Sequence, residues 1–253
     1  MPKSKREKRI FATIITILVV LLASAAVLSY IATRRTDTQE AKETEEVVTE
    51  KESSEVESSN LIWMCGRSVM AGWFEYWGGD VESPLKRKGY TLVYKELYEP
   101  PEIVDSVEVY LKDVGSKKPV IFFKLCFADF VGGTRQEASE NLADHKKYIQ
   151  NVYDLVVKKY KLKLLIGNGL PQVKNDTDED LLWNYERYNA WLDNFANEHK
   201  DEIAVFDFYG LLTDDSGSLK AEYAVDTYDS HPNAKGYAAL EGQFFEFLDE
   251  NLK

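Results

Sequence analysis

The sequence has only two cysteines and three histidines among its 253 residues. None of these residues shows the short spacing at which cysteine and histidine side chains hold a zinc ion, and we expect no metal and no other cofactor. Cys65 and Cys126 each end a predicted strand. A disulfide across adjacent parallel strands is geometrically awkward, so we expect two buried, unpaired thiols; a disulfide between them is the alternative.

The sequence also lacks a basic stripe of the kind that binds nucleic acid. Its formal net charge is −12, and lysine and arginine do not cluster along any part of the predicted folded region. Proteins that bind nucleic acid neutralise phosphates with clustered basic side chains. This charge pattern excludes nucleic acid as an expected partner.

One long stretch lacks charge altogether. Ile10 to Thr33 is uncharged and rich in aliphatic residues, and a basic cluster precedes it. About 20 apolar residues cross a bilayer as a helix. The basic flank favours an N-terminus in the cytoplasm, so we expect a single-pass membrane anchor with the rest of the chain outside. The alternative is a signal peptide cleaved after Ala23 to Ala25, which would give a secreted protein.

A second stretch, residues 36–59, lacks aromatic residues and has few aliphatic ones. Threonine, glutamate, serine and lysine dominate it. Such a segment cannot bury enough apolar surface to offset its chain entropy, which predicts a disordered acidic stalk. The expected organisation is a cytoplasmic basic segment with its anchor in residues 1–35, the stalk in 36–59 and one folded domain in 60–253.

The folded domain alternates apolar runs with segments of helical periodicity. The predicted strands are Leu61–Cys65, Tyr90–Leu97, Pro119–Phe127, Leu162–Ile166 and Ile203–Phe208. The predicted helices begin at Ser68, Pro101, Gln136, Asp178 and Pro232. Strands that alternate with helices pair in parallel and are covered on both faces. The pattern predicts an α/β fold: a three-layer α/β/α sandwich around an approximately five-stranded parallel sheet of flavodoxin-like order.

Two residues of this domain, Ser68 and His231, are candidates for a functional site. Ser68 follows the first strand and Gly66, at the sheet edge where open α/β proteins bind ligands, although a serine there can also be a helix N-cap. His231 precedes the last helix, outside any predicted helix. The other two histidines, His145 and His199, fall in predicted helices, where surface or satisfied-core roles are expected.

These two segments together resemble the SGNH (GDSL-type) hydrolase superfamily. Gly66 to Gly72 reads Gly-Arg-Ser-Val-Met-Ala-Gly and is similar to the serine block of that family, with Arg67 in place of the usual aspartate. His231 to Tyr237 reads His-Pro-Asn-Ala-Lys-Gly-Tyr and is similar to the histidine block. The resemblance implies Ser68 as the nucleophile and His231 as its base. The family carboxylate would fall at Tyr228, so Asp229 is the preferred substitute and Asp226 the alternative.

The sequence departs from the family in the residues that would stabilise an oxyanion. The family has a glycine after the second strand, whereas Tyr98 to Pro101 contains none, and Ala128 stands where an asparagine donor is expected. Asn168, after the fourth strand, is a possible substitute. Arg67 is the other candidate, because it either brings positive charge to the oxyanion or forms a salt bridge with Asp129.

Two functions therefore follow from the sequence. The resemblance implies an esterase or O-acyl transferase that acts on a small-molecule or carbohydrate ester, for example in the cell envelope, and the N-terminal run predicts that it is anchored to the membrane with its domain outside. Four aromatic residues are candidate sugar platforms or, alternatively, core residues: Trp73, Trp77, Trp183 and Tyr185. The missing donors favour the other function, a degenerate hydrolase fold that serves as a binding or scaffold module.

Overall fold

A computed structural model describes residues 60–252 of the chain. The expected basic segment, membrane anchor and stalk lie outside the described residues. Among the described helices, none has the length and apolar character needed to span a membrane.

The domain is built around a six-stranded sheet. Five of its strands are parallel: β1 (Leu61–Gly66), β3 (Tyr90–Glu96), β4 (Val120–Lys124), β5 (Leu164–Gly167) and β6 (Ile203–Phe206). The short strand β2 (Leu85–Arg87) adds an antiparallel edge to β3, which the sequence pattern did not predict. The spatial order is β2-β3-β1-β4-β5-β6, so the parallel strands follow the predicted flavodoxin-like order.

Helices cover both faces of the sheet. They are α1 (Ser68–Tyr76), α2 (Ile103–Lys112), α3 (Arg135–Tyr153), α4 (Glu179–Glu198), α5 (Phe208–Leu212) and α6 (Ala234–Leu252). One π-helical segment, Asp154–Lys159, continues α3. A separate antiparallel hairpin, β7 (Ala224–Asp226) and β8 (Asp229–Pro232), precedes α6.

Alternate residues of the strands pack into two hydrophobic cores, one on each face of the sheet. In β4, Ile121 and Phe123 pack on the side of α2, α3 and α4. Val120 and Phe122 pack on the opposite side, with α1, α5 and α6. This period of two is what a sheet buried on both faces requires. The fold is a three-layer α/β/α sandwich, as predicted, and its parallel strands all end at one edge.

Candidate active site

Ser68 lies at the carboxyl end of β1, where the chain turns directly into α1. Gly66 allows this turn, because a Cβ atom there would lie only 2.8 Å from Cβ of Met70 in the first helical turn. Arg67 is the N-cap of α1 and its side chain does not cap the helix. Ser68 is the first helical residue and is exposed, so the N-cap interpretation of this serine is wrong.

His231 and Asp229 lie on β8, in the hairpin that precedes α6. The Oγ atom of Ser68 and Nε2 of His231 are 2.8 Å apart. On the other side of the ring, Nδ1 of His231 lies 2.5 Å from Oδ1 of Asp229. Both side chains are partly exposed, 36% for His231 and 40% for Asp229. The three side chains form one continuous chain of hydrogen bonds that opens to solvent at the serine.

Asp229, and not Asp226, is the carboxylate that the structure brings to His231. The backbone N–H of His231 donates to Oδ1 of Asp229 at 2.9 Å, and this bond, followed by the histidine side chain, lowers the pKa of Asp229. Asp226 instead accepts the backbone N–H of Tyr228 at 2.7 Å and shapes the hairpin turn. Asp229 is therefore held as an anion that faces the imidazole.

Two neighbouring groups fix the position of the histidine. The ring of Phe127, in the short 3-10 turn Phe127–Asp129 after β4, meets the His231 ring edge-on with centroids 5.0 Å apart. Ser230, buried beside His231, accepts the backbone N–H of Val173 through its Oγ at 3.0 Å. The hairpin is thus attached to the loops after β4 and β5 on both sides of the histidine.

Arg67 forms an ion pair with Asp129. Its Nη2 atom donates to Oδ1 of Asp129, and the side chains are 15% and 3% exposed. The second carboxylate oxygen of Asp129 accepts the backbone N–H of Cys126 at 2.7 Å. Of the two roles expected for Arg67, the structure therefore places the side chain in the salt bridge.

Asn168 is not brought to the serine as an oxyanion donor. Its side chain donates to Oδ1 of Asp207 at 2.7 Å and accepts the backbone N–H of Tyr209 at 2.9 Å, so the amide joins the end of β5 to the start of α5. Ala128 is exposed in the 3-10 turn and has no donor side chain. The donor that the site retains is the backbone N–H of Ser68, in the helical turn whose N–H groups have no partner within a helix.

Three of the four expected aromatic platforms are core residues. Trp73 and Tyr185 are fully buried and Trp77 is 6% exposed, so an interpretation of these three as sugar platforms is wrong. Trp183 is partly buried, with the guanidinium of Arg135 4.5 Å from its ring centroid. Aromatic residues at helical spacing are more often core residues than binding residues, and the structure follows that rule for these three.

Two exposed tyrosines at the same sheet edge were not identified from the sequence. Tyr98 follows β3 and is 49% exposed; the preceding residue, Leu97, donates its backbone N–H to Gly66, which brings this loop next to the serine turn. Tyr228 is 78% exposed and directly precedes Asp229. Solvent exposure is the property that marks them, and it is not visible in a sequence pattern.

Both cysteines are free and buried, which confirms the expectation of unpaired thiols. Burial raises the pKa of Cys65 to about 12.

His145 is also buried, and burial lowers its pKa to about 4, while its Nε2 atom lies 3.1 Å from the carbonyl oxygen of Asp129. Within residues 60–252, no group of three or more histidine, cysteine or acidic side chains has an arrangement that could hold a metal ion.

Comparison with known proteins reveals similarity in structure. No protein-family model matches the sequence, and no curated protein matches it significantly. A GDSL-like lipase from Bacteroides thetaiotaomicron superposes with a TM-score of 0.53 at 16% identity, over 87% of this chain and 98% of that one. A member of the lipolytic G-D-S-L family from Veillonella parvula has a TM-score of 0.52 at 21% identity, over 73% of this chain and 96% of that one. Together with the sheet order and the two sequence blocks, these superpositions show that the domain has the fold of the GDSL-type (SGNH) hydrolases.

Proposed function

We propose that the domain is a serine esterase or O-acyl transferase that acts on acyl esters. The observation that carries this proposal is the hydrogen-bonded chain from Ser68 through His231 to Asp229. A serine hydroxyl is a poor nucleophile until a base removes its proton, and histidine is the side chain whose proton affinity suits that task. The carboxylate orients the ring and stabilises its charged form.

The geometry supports a two-step reaction. In the first step, Oγ of Ser68 attacks the ester carbonyl carbon while its proton passes to Nε2 of His231, and the carbonyl oxygen becomes an oxyanion. When the oxyanion collapses, the bond to the alcohol breaks and His231 returns the proton to the leaving oxygen, which leaves an acyl-serine. In the second step, water or another alcohol loses its proton to His231 and attacks the acyl carbon. The bond between that carbon and Oγ of Ser68 then breaks, and His231 returns the proton to Oγ.

The incomplete oxyanion site supports a modest rate. The loss of one preorganised donor typically lowers the catalytic rate by about 10²–10³-fold. Ala128 provides no side-chain donor. Such enzymes still retain appreciable catalysis from their remaining groups, so we expect slow but measurable turnover.

The exposed aromatic residues support a carbohydrate ester as the substrate. Tyr98 and Tyr228 stand on loops at the edge that carries Ser68. A tyrosine ring offers a flat apolar face and a polar tip, which suits a ligand with both characters, such as a sugar ring. In the sequence, the charges of residues 1–59 nearly balance, so the domain itself carries most of the net charge of −12. This charge favours neutral or cationic substrates over polyanions.

The sequence of the N-terminal region supports a membrane-anchored, extracytoplasmic location. The uncharged run from Ile10 to Thr33 is long enough to span a bilayer and has a basic flank before it. N-terminal sequencing of the protein from native membranes tests this location. A mature chain that begins near Ala26 would instead indicate a secreted form.

A second candidate function is a binding or scaffold module that has lost catalysis. The observation that favours it is the absence of the family's oxyanion residues: Ala128 replaces the asparagine, and Tyr98 to Pro101 contains no glycine. The intact hydrogen bonds of Ser68 and His231 favour the enzyme, since a module without catalysis has no need of them.

A fluorophosphonate probe distinguishes the two functions, because it reacts covalently with an activated serine. We expect the wild-type protein to be labelled at Ser68, as located by mass spectrometry, and Ser68→Ala to be unlabelled. Ser139→Ala, at an exposed serine of α3, is the matched control and should be labelled as the wild type is. A wild-type protein inert to both the probe and short-chain aryl esters would favour the binding module.

A further inference from the structure

Lys124 is a buried charged residue for which the serine mechanism provides no role. It is the last residue of β4 and is only 1% exposed. Its Nζ atom donates to the carbonyl oxygen of Leu125 at 3.1 Å. None of the ion pairs found in residues 60–252 includes it. Burial of an ammonium group without a directly paired carboxylate is costly, so its presence calls for a physical reason.

Lys124 and Asp129 bind the two ends of one peptide group. The carbonyl of Leu125 accepts from Lys124, and the N–H of the same peptide group, at Cys126, donates to Oδ2 of Asp129 at 2.7 Å. The other oxygen of Asp129 binds Arg67. A continuous polar connection therefore runs from the ammonium group, through one peptide and one carboxylate, to the residue that precedes Ser68.

This cluster holds two cations and one carboxylate. The charged groups that face Lys124 are Arg67 and Asp129, and the thiol of Cys126 is a further neighbour. Burial, and to a smaller extent the charge of Arg67, lowers the pKa of Lys124 to about 8, so most of the ammonium remains protonated at neutral pH. One positive charge is thus left without a neutralising carboxylate at the end of β4.

The uncompensated charge lies at the edge of the sheet that carries the reacting groups, because Lys124 is the last residue of β4. Arg67 is adjacent to Ser68 in the chain, and the turn that follows Cys126 carries both Phe127, against the His231 ring, and Ala128. Ala128 is the position at which the family would supply an asparagine donor. Buried charges act more strongly than exposed ones, because little water screens them.

We propose that Lys124 supplies by its positive charge the stabilisation of the oxyanion that the alanine at position 128 cannot give. This inference rests on the proposed esterase function. Lys124 does not touch the substrate; it acts through the electrostatic field at the end of β4 and is a positioning residue. Its loss should cost less than the loss of a direct donor, about 10- to 100-fold in kcat.

The test is the pH dependence of ester turnover by the full-length Lys124→Met variant. The wild type should lose activity as the pH rises through about 8, where Lys124 loses its proton. The methionine variant should have a kcat lower by about 10- to 100-fold at neutral pH, a nearly unchanged KM and no such alkaline decline. Its melting temperature should be equal or higher, because an apolar side chain of similar length replaces a buried charge. Lys124→Arg, which keeps its charge across this range, should retain activity and also lack the decline.

Lys163→Met is the matched control, because Lys163 also donates to a backbone carbonyl, that of Asp201, but lies before β5 at the other end of the sheet. It should leave kcat and the alkaline decline unchanged. Any of three results would overturn the inference. They are an unchanged kcat in Lys124→Met, an alkaline decline of activity that persists in this variant, and a wild type that shows no alkaline decline. Probe labelling of the wild type separates this failure from that of the proposed function: a labelled wild type with an unaffected Lys124→Met overturns only the role of the lysine.

Discussion

Replacement of Asp229 by asparagine tests how the histidine is supported. Asp229 accepts both the ring N–H and the backbone N–H of His231, at 2.5 Å and 2.9 Å. A hydrogen bond to a charged group contributes about 1.5–3 kcal/mol. Since about 1.4 kcal/mol corresponds to a tenfold change in rate, the loss of one such bond predicts a decrease of about 10- to 150-fold in kcat.

Because Asp229 is partly exposed, we do not expect a larger decrease in kcat. Replacement of a fully buried triad aspartate costs about 10⁴-fold in a serine protease. The Asp229 side chain is 40% exposed, so water screens its charge and we expect the smaller value. Steady-state kinetics with a short-chain aryl ester at neutral pH measure the decrease in kcat of Asp229→Asn. Asp226→Asn is the control and should be close to neutral, because Asp226 binds only within the hairpin turn. A larger loss for Asp226→Asn than for Asp229→Asn would refute this assignment of the carboxylate.

Three further predictions concern stability, thiol chemistry and substrate binding. Asp178→Ala should lower the free energy of unfolding by about 1 kcal/mol in urea titrations, because Asp178 caps α4. Backbone hydrogen bonds lower the pKa of Asp178, so its contribution is present at neutral pH and the difference from the wild type should shrink as the pH falls through that pKa. Alkylation without reductant should modify Cys65 and Cys126 in denaturant but not in the native protein, whereas two unmodified cysteines in denaturant would indicate a disulfide. Tyr228→Ala should raise KM for a carbohydrate ester with kcat largely unchanged, and an equal effect of Val109→Ala, at an exposed valine of α2, would contradict a binding role.

Much of the fold follows from patterns that the sequence displays directly. The strands β1, β4 and β5 are apolar runs buried on both faces, and the intervening helices carry apolar residues at helical spacing, so the order of the elements was predictable. The edge strand Leu85–Arg87 was missed because three residues, two of them charged, show no alternation. The strand Asp229–Pro232 was missed because proline and polar residues resemble a turn.

The candidate site was predictable only where the chemistry lies in residue identity. The serine and histidine segments indicated the nucleophile and base, and parallel topology placed both at one edge. Partnerships between distant residues were not visible: Arg67 had two possible roles, and only the fold brings it to Asp129. Lys124 interrupts a strongly apolar strand, and nothing in its neighbours along the chain reveals its burial beside the ion pair.

The central claim is that Ser68 and His231 act as one catalytic unit. The most direct measurement compares kcat for aryl ester hydrolysis in Ser68→Ala, His231→Ala and the double variant. If the two residues share a single proton transfer, each single variant loses nearly all turnover and the double variant is little worse, because the losses are not additive. Additive losses, or a Ser68→Ala variant as active as the wild type, would contradict the account.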